Sequence, residues 1–313
     1  MSTSADSRPE TGTVPSSPAK LGLRDWLAVF KRSFKEFLGD DCMGLAQEIA
    51  YSSLLAFFPA LIFLVGLLGL IDGYDTLQEF LGPVAPGAVL DVIGDIQEAS
   101  EGKGGASLVA FLAGAAGAVW ASSGAMGSVI KAVNRAYDRT ETRPFWKVRL
   151  IAIFLVVLTG FVTAALFLLI VFGGPLGEAI AARAGLGGAF DLVWSILRWP
   201  IAFVAILIFF ALVYFLAPNR DERSWRWISP GSLVAGALWL ILSGLFAVYT
   251  GFAGSYEAYG SIAGGIVLLL WLNYSAFALL FGAEVNSELD RQAEIRASGG
   301  PNAGLIERAR RLR

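Results

Sequence analysis

The residues with chemical potential in this chain are polar or helix-breaking groups set inside apolar runs. They are Glu48 and Pro59 in one run, Arg135 at the end of another, and Asn273, Glu284 and Asn286 in a third. Two carboxylates near one guanidinium at a membrane boundary could form a gate or a protonatable site, because ionisable groups in such positions avoid lipid and mark substrate or ion paths. The competing reading is a set of interface charges that touch headgroup water. Asn273 and Glu284 are eleven residues apart, about three helical turns, so they share one face at a separation of about 16 Å. Asn273 is then either a ligand contact or an interhelical hydrogen bond. Glu48 and Pro59 have the same spacing. Pro59 removes the helical donor to the Leu55 carbonyl, so kink and polar residue share a face, as in the interrupted helices that line transporter cavities. Trp120, Trp239 and Trp271 are placed near mid-depth, where they either pack in the core or offer flat apolar walls to an acyl chain or aromatic substrate.

Composition removes whole classes of chemistry. The chain has no histidine and one cysteine, Cys42. This excludes His-ligated zinc, Ser-His and Cys-His nucleophile pairs, and an intrachain disulfide. No catalytic residues, metal site or cofactor are expected. Gly102-Lys103-Gly104 lacks the upstream glycine and the following Ser or Thr of a phosphate-binding loop. With 56% hydrophobic and 16% charged residues and a mean hydropathy of +0.63, the composition is that of a membrane protein.

The elements that must position these residues are apolar helices. The expected fold is all-α: a polytopic membrane protein with six transmembrane helices, both termini cytoplasmic, and short interfacial amphipathic helices. Residues 1–20 form a Ser/Thr/Pro-rich disordered tail. Residues 21–289 form the membrane domain, with spans at about 46–71, 107–130, 150–172, 199–217, 228–249 and 262–283 and an acidic outer loop at 72–106. A charged cytoplasmic tail follows at 290–313. Between Leu21 and Gly39 apolar residues recur at helical spacing beside Lys31, Arg32 and Lys35, which predicts a helix at the membrane interface with its cations near anionic headgroups, or one docked on the protein's own cytoplasmic face. In the span at 107–130, Gly, Ala and Ser dominate, which predicts a helix closely approached by its neighbours. Orientation follows from basic residues: 21 of the 24 Lys and Arg fall on the side of the termini, against Lys103, Arg183 and Arg198 on the other.

Several segments together carry a family likeness. They are AYSSLLAFFPALIFL from Ala50, RWP at Arg198–Pro200, APN at Ala217–Asn219, PGSLVAGALWLILSGLF from Pro230, YG at Tyr259, LLLWLNYS from Leu268 and GAEVN at Gly282–Asn286. In this order and spacing the chain resembles the YihY/BrkB family of bacterial inner-membrane proteins over Phe34 to Leu289. The resemblance implies a multi-pass protein of the bacterial cytoplasmic (inner) membrane, with export or lipid handling among the family's suggested roles, alongside an old ribonuclease BN label and a serum-resistance association. It brings no catalytic residues with it.

The reading that results is a transporter, exporter or lipid translocator of unnamed substrate, not an enzyme. Its partners are the lipid bilayer and anionic headgroups at Lys31, Arg32 and Lys35; no nucleic acid is expected, and homo-oligomerisation is left open. The alternative is a non-transporting scaffold or envelope assembly factor. Ribonuclease activity is disfavoured, because a histidine-type nuclease cannot be built here and an acidic-cluster nuclease needs a folded cytoplasmic domain.

Overall fold

A computed structural model describes residues 23–70, 104–171, 173–174, 177, 183, 188–220, 225–252 and 261–297. The expected tail at 1–20, the outer loop as far as residue 103 and the end of the charged tail lie outside the described residues. Those described form seven α-helices and no strand: α1 (Leu23–Gly39), α2 (Cys42–Leu70), α3 (Gly104–Ala136), α4 (Phe145–Val171), α5 (Gly188–Leu216), α6 (Trp225–Phe252) and α7 (Ser261–Ala297). Four contain stretches long and apolar enough to cross a bilayer, at Phe145–Ile170, Leu192–Leu216, Pro230–Thr250 and Gly264–Gln292.

Each long helix packs on the next from α2 to α7, and α7 returns to α2, so six helices close a ring with α1 lying on α7. The buried core is concentrated at one end. Ala46 and Ile49 of α2, Ile130 and Val133 of α3, Leu155 of α4, Tyr214 of α5, Ala235 of α6 and Leu280 of α7 meet there. This is also the end that carries Lys131, Arg135, Arg143 and Arg220, here termed the basic end. The apolar stretch of α4 is only 6% buried, so that helix sits at the rim, in keeping with its largely aliphatic and aromatic composition.

Element boundaries differ from the expected ones where an apolar run is continued by residues that tolerate helix. The helix through Arg198 begins at Gly188, well before the expected start at Trp199, because Leu192, Val193, Ile196 and Leu197 extend its apolar surface with no intervening breaker. Helix α3 does not give way to loop at Lys131 but runs to Ala136, and α7 continues to Ala297, far past residue 283. Pro59, Pro200 and Pro230 all lie inside helices.

Of the two readings of the first helix, the fold shows docking on the protein's own surface. Val29 and Phe37 of α1 are buried against Val285, Leu289, Phe277 and Phe281 of α7. On the remaining circumference Leu27, Phe34 and Leu38 are exposed next to Lys31, Arg32 and Lys35. A two-residue turn at Asp40 and Asp41, the latter in the left-handed region at φ 54°, then passes the chain into α2.

Candidate functional site

At the basic end, α3 stops in a turn that organises most of the polar groups. Asp138 takes a left-handed conformation (φ 52°), its N–H donates to the Arg135 carbonyl, and the Arg139 N–H donates to that of Asn134. This is the Schellman pattern that satisfies the last helical carbonyls. It leaves the side chain of Asn134 buried and available to reach across the bundle. Asn134 Oδ1 accepts from the Asn219 backbone N–H at 2.7 Å, and its Nδ2 donates to Glu141 at 2.9 Å. Asn219 in turn donates to the Thr140 carbonyl and to Thr142. Arg143, with its side chain only 6% exposed, grips Glu141 through two nitrogens and donates to the Leu216 and Ala217 carbonyls at the end of α5. The Ala217-Pro218-Asn219 motif is thus half of a clasp joining the ends of α3 and α5.

The clasp has a pH signature. Partial burial disfavours a charged Glu141, but its hydrogen bonds from Arg143 and Asn134 outweigh this and hold the carboxyl below the usual carboxylate range. A depressed folded-state value contributes stability above the unfolded carboxyl's value, and that contribution disappears as pH falls through the folded one. Thermal midpoints of the wild type are expected to drop between about pH 5 and about pH 3 more steeply than those of Glu141→Gln, with parallel behaviour near pH 7. Equal slopes on the acid side would remove Glu141 from the clasp.

Beside the clasp lies a cleft of about 500 Å³ between the start of α2 and the basic end of α3. Asp40, Asp41, Lys131, Arg135, Arg139 and Glu141 line it, over an apolar floor of Leu45, Gly127, Ile130 and Val148. Arg135 sits 3.3 Å from Asp40, and Lys131 sits 2.7 Å from Glu48. The expected grouping of Glu48 with Arg135 is therefore replaced by two separate pairs. Lys131 and Arg135 are one helical turn apart and each takes the acid nearest its own depth.

Glu284 lies behind this cleft, not in it. Its side chain is essentially inaccessible (1% exposed) and accepts a hydrogen bond from the Cys42 thiol at 3.4 Å. Asn286 has a different task. Its Oδ1 accepts from the backbone N–H of Gly231 at 2.8 Å, and its buried Nδ2 has no partner among the described residues. Pro230 interrupts the hydrogen-bond ladder of α6 at this point, and Asn286 takes the donor of the next residue. Here α6 and α7 approach so closely that a methyl on Gly231 would overlap the Asn286 side chain and the Gly282 carbonyl, while one on Gly282 would overlap the Tyr214 hydroxyl and the Gly231 carbonyl. Tyr214 OH donates to the Leu279 carbonyl at 2.7 Å.

The remaining candidates are scattered. Asn273 is half-buried, and its side chain makes no hydrogen bond among the described residues. Pro59 lies in the other half of α2, away from the cleft lining. Trp239 and Trp271 pack edge to face at 6.1 Å and donate to Ser275 and Ser243, which accounts for both indole N–H groups through α6–α7 packing. Trp120 is 68% exposed and lies under the Arg149 guanidinium, 4.0 Å from its ring centre. A cation–π pair at the surface, not a buried wall, is its setting. Asp40, Cys42, Asn134, Arg143, Arg220 and Asp290 were not singled out from the sequence. Only the asparagine in APN and the one-turn spacing of Lys131 and Arg135 carried a signal. Among the described residues no three His, Cys, Asp or Glu side chains converge as a metal site requires.

Comparison with known proteins places the geometry in context. The family model described as Virulence factor BrkB matches residues 33–306. A ribonuclease-like protein of Bacillus subtilis strain 168, YfkH, is 31% identical over 271 residues, which is 86% of this chain and 98% of that protein. A UPF0761 membrane protein of Stenotrophomonas maltophilia strain R551-3 is 25% identical over 266 residues, 81% of this chain and 58% of its own length. Another from Xanthomonas oryzae pv. oryzae strain PXO99A is 24% identical over 265 residues, 82% of this chain and 59% of its own length. The chain therefore spans under two thirds of these UPF0761 proteins. No solved structure matches.

Proposed function

This chain belongs to the BrkB virulence-factor family and is a membrane protein, and from that premise we propose that it is a non-enzymatic transporter or lipid translocator of the bacterial inner membrane. In this reading α2 to α7 are six spans, both termini are cytoplasmic, and the basic end of the ring faces the cytoplasm. The observation that carries it is the cleft of about 500 Å³, which brings six charged residues together over an apolar floor at the basic end of the bundle. A cavity of this size is in the range that small ligands and headgroups occupy. Glu284, buried behind Asp40, is assigned the gating or protonatable role. The exposed Leu27, Phe34 and Leu38 of α1 lie in the inner leaflet, with Lys31, Arg32 and Lys35 on anionic headgroups.

The test is reconstitution in liposomes with fluorescent phospholipid, following its movement between leaflets. Wild type is expected to accelerate movement over protein-free vesicles, and Glu284→Gln, which keeps the shape and the acceptor for Cys42, to reduce it at least about tenfold. Equal rates for the two proteins would strip Glu284 of its role. No acceleration by the wild type would favour the alternative, a scaffold or envelope assembly factor, for which the closely packed α6–α7 crossing speaks.

A further inference from the structure

We infer that the cleft at the basic end is a binding site for a zwitterionic phospholipid headgroup, a phosphodiester joined to an ammonium, with an acyl chain laid along the glycine face of α3. The inference rests on the transport reading for its site and names the substrate class that site takes.

The charges of the lining choose the class. Three cations, Lys131, Arg135 and Arg139, face three carboxylates, Asp40, Asp41 and Glu141, so the lining is formally neutral. An anionic headgroup would gain the cations but leave its surplus charge against the acids. A headgroup carrying both charges satisfies both sets, with the phosphate on the guanidinium side of α3 and the ammonium at the Asp40–Asp41 turn. The pairs now present do not block this. Lys131 and Glu48 have side chains 63% and 40% exposed, and such ion pairs exchange partners at little cost; Arg135 is 58% exposed, so its guanidinium can add a phosphate while it keeps the buried Asp40.

The floor and the helix beyond it supply the apolar part. Gly127 lies in the cleft floor with Leu45, Ile130 and Val148. Positions 117, 124 and 131 are seven apart, with 120 and 127 between them, so Gly117, Trp120, Gly124, Gly127 and Lys131 lie along one side of α3. Gly117 and Gly124 are exposed, and a methyl built on Gly117, Gly124 or Gly127 would meet none of the described residues. The result is an open face about 15 Å long from Gly127 to Gly117, with the exposed, apolar Trp120 ring standing on it, that leads away from the charged cleft into the apolar half of the helix. A lipid is the one occupant that matches a neutral, two-signed head and an apolar trail together.

The experiment uses full-length protein in detergent, delipidated and offered equimolar dioleoyl-phosphatidylethanolamine and dioleoyl-phosphatidylglycerol, with bound species read by native mass spectrometry. Phosphatidylethanolamine adducts are expected to exceed phosphatidylglycerol adducts by at least about fivefold. The Asp40→Asn/Asp41→Asn variant is expected to reverse the preference, since it removes two of the three carboxylates of the lining and leaves it net positive. Gly124→Leu, whose side chain enters open space and keeps a helix-favouring residue, is expected to lower adducts of both lipids with the thermal midpoint retained. Equal retention of the two lipids, an excess of phosphatidylglycerol, displacement of both by free phosphoethanolamine, or a lipid-free dimer in place of lipid adducts would each overturn the inference. Selective binding without any leaflet-to-leaflet movement in liposomes overturns the transport reading alone, whereas movement without selectivity overturns the headgroup assignment alone.

Discussion

Gly231→Ala is expected to remove about 3 kcal/mol of stability, at the upper end of what overpacking usually costs. At most positions a methyl on a helix glycine gains helix propensity. At Gly231 it would be driven into the carbonyl of Gly282 and the amide of Asn286, and neither can retreat. The first is backbone inside α7, and the second is held by its own bond to the Gly231 N–H. Shifting α7 to admit the methyl would disturb the bond from Tyr214 of α5 to the Leu279 carbonyl, a buried hydroxyl that needs its acceptor. The measurement is the thermal midpoint in detergent together with the monodisperse fraction on size exclusion. Gly124→Ala is the control, because the space over Gly124 is open, and it should hold or raise the midpoint. A Gly231→Ala protein that melts with the wild type would mean that α6 and α7 part at no cost, and the crossing would lose its role as the fixed point of the ring.

A second large effect is expected at Arg220. Its guanidinium bonds to Asp290 of α7 and lies 5.1 Å from the centre of the Tyr137 ring at the end of α3. The two charged side chains are 10% and 20% exposed, so the pair is screened little by water. Removing one partner of such a pair strands the other charge in a poorly solvated position, an effect of about 3 kcal/mol. Arg220→Met should therefore lower the midpoint much as Gly231→Ala does. Arg220→Lys, which keeps charge but not the planar face over Tyr137, should recover only part of the loss. The double variant Arg220→Met/Asp290→Met should be more stable than Arg220→Met alone, since the carboxylate that loses its guanidinium is removed with it. Additive losses in that cycle would show that the two residues do not act as a pair.

These two sites clarify what the family motifs do. Pro230-Gly231 and Gly282 with Asn286 are one feature seen from two helices, a close crossing with a donor exchanged across it. Ala217-Pro218-Asn219 is half of the clasp closed by Asn134, Glu141 and Arg143. In the sequence they are short motifs separated by many residues. Their physical meaning is contact, which no single segment contains.

The chain by itself determined the class of fold, because backbone groups in lipid must be satisfied within helices and the apolar runs here are long enough for little else. It determined that α4 lies at the rim, since an aliphatic surface on all sides needs no protein partner. It also showed which positions carry charge within apolar surroundings. Which of those charges meet was decided by tertiary structure alone. Glu48 joined Lys131 rather than Arg135 because of how α2 and α3 are staggered, and periodicity within one helix is silent about stagger between two. Asn286 ties to the Gly231 N–H and Trp120 lies under the Arg149 guanidinium, contacts that no single segment announces. The cleft itself is built from a two-residue turn, a helix end and a loop, whose arrangement depends on a left-handed Asp138 and a clasp to α5. Helix type follows from local periodicity, which a sequence records directly; a cavity exists only where separate helices fail to fill space, and that is a property of the assembled ring.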